Sequence, residues 1–176
     1  MTLMVCLMLD HQLELNDSFR EWPLHLTLVP WFELDGEHLP KFIKDLDLLA
    51  FKTHSLELNT AGALVASHDK RYLARVSPKE GVVGLHNNLL EALSKAEAQL
   101  DTSGFTGPSY EPHITVPNGK ELPASEFTFD KLYLVAKDNF GMKFVVYILP
   151  LADNLGRRHH YPAHKASAVL RRLSHR

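Results

Sequence analysis

Residues 23–29 read PLHLTLV, an alternation in which histidine and threonine take the polar beat between leucines. The pattern returns at residues 111–117, EPHITVP, with His113 and Thr115 between Ile114 and Val116. Successive side chains of a strand point to opposite faces, so residues i and i+2 share one face, roughly 6.5–7 Å apart. Leu24, Leu26 and Leu28 then face a core while His25 and Thr27 face away from it. Ile114 and Val116 are divided from His113 and Thr115 in the same way. Coincidence is one reading; the other is that two such strands meet in one sheet, with one dry face and one face carrying two imidazole–hydroxyl pairs.

The rest of the chain supplies the partners for such a sheet. TLMVCLML (2–9) reads as a buried strand, 11–22 as a loop or short helix, and 23–34 as a strand with Pro30 marking an edge or bulge. Residues 37–50 place Leu39, Phe42, Ile43, Leu46 and Leu49 at helical spacing. Strands follow at 53–60, 63–67 and 71–77. Pro78 opens a long helix, 78–100, with Val82, Leu85, Leu89, Leu93 and Ala96 on one side. A loop of glycine, proline and serine (101–112) precedes the second motif strand, 113–117. One long strand (126–137) and its hairpin partner (142–150) finish the pattern across Asp138–Gly141. The order of hairpins and two helices is α+β, arranged as two related halves, each with one His-x-Thr strand.

Composition narrows the class. The chain has 176 residues with 45% apolar and 23% charged side chains, which suits one domain with its own core. A single cysteine, Cys6, rules out an internal disulfide framework and reads as a small core residue. The apolar N-terminus lacks a basic flank and stops at Asp10, too short for a signal peptide or a membrane span, so a cytoplasmic protein with no membrane partner is expected. Net charge is −2, but residues 153–176 hold Arg157, Arg158, Lys165, Arg171, Arg172 and Arg176 against Asp153, leaving the remaining body acidic. The expected division is a domain over 1–152 and a basic tail over 153–176 that either docks as a short helix or stays unordered. His159, His160 and His164 in that tail lack cysteine or carboxylate company, so no zinc site is expected there. Contact of the tail with nucleic acid is left open.

A bare His-x-[Ser/Thr] arises about once by chance in a chain with this many histidines, so the shared context carries the weight. Two facing pairs offer two titratable groups and two neutral donors around one small anion. A neutral imidazole can take a proton from water and an imidazolium can give one to a leaving oxygen. The hydroxyls can donate to non-bridging phosphate oxygens as charge builds on them. Carboxylates suited to holding a catalytic metal are missing from both His-x-Thr triplets. The candidates are therefore His25 and His113 as catalytic groups, each by itself also readable as a strand histidine that satisfies a buried backbone group, with Thr27, Thr115 and Tyr110 as substrate-binding groups. Tyr110 is read either as a stacking platform for a base or as a loop anchor. His86 is read as a packing or network residue, Trp22 and Trp31 as core or rim, and Arg71 and Arg75 as solvated surface with some reach toward phosphate.

With these residues in view, the chain resembles the 2H phosphoesterase superfamily, which includes 2'-5' RNA ligase-like proteins and RNA 2',3'-cyclic phosphodiesterases. GVVGLHNNLLEAL (81–93) is similar to the Leu-His-x-x-Leu helix between the family's motifs, and YEPHITV (110–116) to its aromatic-x-Pro-His-x-Thr second motif. The resemblance covers about residues 2–150. It implies two pseudo-symmetric lobes of antiparallel sheet plus helix around a central cleft lined by His25, Thr27, His113 and Thr115. It further implies acid–base hydrolysis of a 2',3'-cyclic phosphate or 2',5'-phosphodiester, with no cofactor, on an RNA end or small nucleotide, by a monomer. His25 is assigned as acid and His113 as base. The alternative is a non-catalytic nucleotide- or RNA-binding module on the same fold. One departure stands out: many RNA-processing members carry a basic residue soon after the second motif, whereas Val116-Pro117-Asn118 follows here and Lys120 is the first cation.

Overall fold

The computed structural model describes residues 1–9, 13–61, 65–66, 72–100, 106–116, 121–122 and 125–152. The expectations for the tail, for Arg71 and for the residues just after Val116 lie outside them. The strands are β1 (Thr2–Met8), β2 (Ser18–Phe19), β3 (His25–Glu33), β4 (Leu56–Thr60), β5 (Val65–Ala66), β6 (Tyr72–Ser77), β7 (Gln99–Leu100), β8 (His113–Val116), β9 (Glu126–Phe129), β10 (Lys131–Lys137) and β11 (Lys143–Pro150). Two helices accompany them, α1 (Leu39–Lys52) and α2 (Glu80–Lys95).

The strands join in the order β2-β11-β10-β1-β3-β8-β6-β4-β9, with β5 on β6 and β7 on β3. Every pairing is antiparallel. The fold is the expected α+β arrangement of two lobes, β11-β10-β1-β3 on one side and β8-β6-β4-β9 on the other. The motif strands β3 and β8 meet where the lobes join.

The main core lies on one face of this sheet. The apolar stripes of α1 (Leu39, Phe42, Ile43, Leu46) and α2 (Val82, Leu85, Leu89, Leu93) close over Leu26, Leu28, Ile114 and Val116, all buried. That burial explains the helices: each stripe is apolar on the side turned to the sheet, and packing rather than propensity holds it there. On the opposite face, Cys6, Met8, Tyr133, Val135 and Val145 form a second apolar cluster, with Phe19, Trp22 and Trp31 packed against it.

Three boundaries differ from the sequence reading. The second helix stops at Lys95, because Glu97 turns left-handed (φ 57°) and the Ala98 amide donates back to the Leu93 carbonyl, 3.0 Å, closing the helix end. Gln99–Leu100 then pairs with β3 instead of continuing the helix. The long strand expected at 126–137 is two strands that part at Asp130, one pairing with β4 and the other with β1 and β11. Residues 11–22 contain the short strand β2. The bulge expected near Pro30 is present: β1 pairs Leu3 with Phe32 but Val5 with Val29, so β3 carries an extra residue there.

Candidate functional site

The site begins at a single backbone register. Leu26 of β3 stands across from Ile114 of β8, and both are fully buried. In an antiparallel pair this sets His25 across from Thr115 and Thr27 across from His113. All four side chains therefore emerge on the face opposite the helices. Directly facing Cβ atoms lie about 4.5–5.5 Å apart and diagonal ones about 7–8 Å. The two imidazoles occupy one diagonal of this quadrilateral and the two hydroxyls the other. The face-sharing expected within each strand thus extends across both.

Both histidines are held alike. His25 Nδ1 is 2.8 Å from the Pro23 carbonyl, and His113 Nδ1 is 2.8 Å from the Glu111 carbonyl. A carbonyl only accepts, so Nδ1 carries the hydrogen and donates. In the neutral ring the lone pair then resides on Nε2. The prolines upstream of each motif differ in use: Pro23 supplies the accepting carbonyl, whereas Pro112 lies between Glu111 and His113.

The surroundings of the two rings are not alike. His25 is 7% exposed, and its ring stacks on the indole of Trp22 at 4.2 Å and 28°. Trp22 also meets Phe19 edge-on and Trp31 at a tilt, and Lys143 Nζ lies 5.8 Å from its ring. His113 is only half-buried, and across from it on β6 stands Arg75. Trp22 packs at the edge of the second apolar cluster, as the core-or-rim reading has it, and Arg75 is exposed, as expected, on the motif face. A signal for Trp22 was its place three residues before His25; for Arg75 there was none without the β6–β8 register.

Tyr110 and His86 form a brace behind the first motif. The Tyr110 hydroxyl donates to the Thr27 carbonyl at 2.7 Å, and its ring stacks on His86 at 3.8 Å and 10°. His86 is fully buried. The Gly107 amide donates to His86 Nε2 at 2.9 Å, which requires that Nδ1 carry the hydrogen and donate to the Leu28 carbonyl, 2.6 Å away. Desolvation holds the His86 imidazole below its usual range, against the opposing pull of the Leu28 bond, and burial pushes the Tyr110 phenol above its own. Of the two readings open for Tyr110, these contacts describe the anchor: its hydroxyl is engaged and one ring face is covered. His86 is the network residue expected of it.

Cys6 is fully buried and burial pushes its thiol well above the usual range, as suits a core residue. Among the described residues no three His, Cys, Asp or Glu side chains cluster as a metal site, and no helix is long and apolar enough to cross a membrane.

Comparison with known proteins adds the following. The sequence matches the family described as the 2'-5' RNA ligase superfamily over residues 10–155. Among solved structures, TT0787 of Thermus thermophilus is similar at TM-score 0.60 and 18% identity, covering 86% of this chain and 98% of that one. E. coli LigT complexed with 3'-AMP is similar at TM-score 0.53 and 16% identity, covering 85% and 97%. LigT complexed with NADP+ gives 0.52 and 15%, covering 85% and 96%. A comparison with curated protein sequences found no match.

Proposed function

Because this chain belongs to the 2'-5' RNA ligase superfamily, within the 2H phosphoesterases, we propose that it hydrolyses a 2',3'-cyclic phosphate or 2',5'-phosphodiester of RNA or a nucleotide by acid–base chemistry between His25 and His113. The observation that carries the reading is the Leu26–Ile114 register, which turns both imidazoles and both threonine hydroxyls to one face of the sheet. LigT, a protein of this fold, is found with 3'-AMP, which supports a nucleotide-sized occupant.

In the proposed step His113 Nε2 takes a proton from water as the water oxygen bonds to phosphorus. The bond from phosphorus to one ribose oxygen breaks, and His25 Nε2–H protonates that oxygen. A cyclic phosphate thereby opens to a phosphomonoester, and proton exchange with solvent restores both rings. Thr27 and Thr115 donate to the non-bridging oxygens, where charge accumulates in the transition state. The division of roles rests on the surroundings. An imidazolium is held favourably over an indole face, as His25 is over Trp22.

The test is turnover of 2',3'-cyclic nucleotides, 2',5'-linked dinucleotides and cyclic-phosphate-ended RNA in EDTA, with wild type beside His25→Ala, His113→Ala and the double variant. Loss of one acid or base is expected to cost about 10²–10⁴-fold. Near-normal turnover by either single variant overturns the reading. Binding without turnover by the wild type favours a nucleotide-binding module instead.

A further inference from the structure

The β3-β8-β6 registers place Thr27, His113 and Arg75 in one row across the cleft face, with His25, Thr115 and Leu73 in the next. Neighbouring strands are about 4.8 Å apart, so Arg75 begins one strand outside the quadrilateral that bounds the reacting phosphate. Its side chain is exposed. The nearest carboxylate along the chain leading into the second motif, Glu111, is engaged by Lys79 at 3.3 Å. Beyond Arg75 the next residue in the row is Ala61, whose amide donates to the Arg75 carbonyl and whose methyl brings no charge. Among the described residues Arg75 makes no ion pair. Arg75 thus stands beside the motif face, in a body with more acidic than basic residues.

We infer that Arg75 grips a second phosphate of the substrate, the 5'-phosphate of the nucleotide whose cyclic phosphate reacts. The substrate class is then an RNA end, or a nucleotide carrying a 5'-phosphate, rather than a bare nucleoside cyclic phosphate. This rests on the phosphoesterase reading and names its substrate more closely. A guanidinium suits the task because its planar fork meets two phosphate oxygens at once.

The experiment compares a nucleoside 2',3'-cyclic phosphate with and without a 5'-phosphate, as kcat/KM, for wild type, Arg75→Lys and Arg75→Ala. A parallel arm measures equilibrium affinity for a nucleoside 3'-monophosphate against the 3',5'-bisphosphate. Wild type is expected to prefer the 5'-phosphorylated member of each pair. Arg75→Ala is expected to lower that preference about tenfold, the worth of a charge-assisted hydrogen bond at a wet site, and Arg75→Lys to keep part of it. An unchanged preference in Arg75→Ala overturns the inference, as does a wild type with no preference. If wild type turns over neither compound the phosphoesterase reading falls, and the affinity ratio still decides the role of Arg75.

Discussion

Replacing His86 with phenylalanine tests the brace that connects the two motifs. The new ring keeps the stack on Tyr110 but can neither donate to the Leu28 carbonyl nor accept from the Gly107 amide. An orphaned buried carbonyl costs about 1–3 kcal/mol, and the Gly107 amide, only half-buried and open to some water, about 1 kcal/mol. The expected loss is about 2–4 kcal/mol, a large share of the roughly 5–15 kcal/mol by which a domain is stable. With a urea dependence of about 2 kcal/mol per molar, the midpoint should fall by about 1–2 M at pH 7.5. The pH dependence gives a second reading of the same contact. The folded protein holds the His86 imidazole below its ordinary value, so the unfolded chain binds its proton first. The contribution of His86 is complete above about pH 6.5 and is lost as pH falls from there toward the folded value, by at most about 1.4 kcal/mol per pH unit. The gap between wild type and His86→Phe should therefore narrow from pH 7.5 to 5.5. A gap below about 0.5 kcal/mol at pH 7.5, or one that widens on acidification, refutes the reasoning.

Two further outcomes follow from the site. Thr27→Val and Thr115→Val keep the shape of the strand but remove one donor each, so kcat should fall about 10²-fold while KM changes little; equal losses in binding of a product nucleotide would count against transition-state donation. Trp22→Ala should lower kcat about tenfold by removing the indole under His25, with Trp22→Phe recovering most of it. Full activity in Trp22→Ala would remove the stack from the mechanism.

Much of this molecule is decided within short windows of sequence. The alternation at residues 23–29 and 113–116 is a property of neighbouring residues, so the sharing of a face by His25 and Thr27, and by His113 and Thr115, could be read directly. The stripes of both helices and the bulge at Pro30 were legible for the same reason. The end of α2 was not, because it depends on one left-handed residue, Glu97, and on the competing pull of Gln99–Leu100 toward β3. Nor was the break at Asp130, where the chain stays extended but changes partners.

What tertiary structure alone decided is who stands across from whom. Register is set by burying Leu26 against Ile114 and Ala74 against Ile114 from the other side, and a slip of one residue would turn every motif side chain into the core. That non-local choice brings His25 to Thr115, His113 to Arg75 and Tyr110 to the Thr27 carbonyl. The sequence determined which groups each strand offers; only the closing of the core across β3, β8 and β6 determined that they share one face.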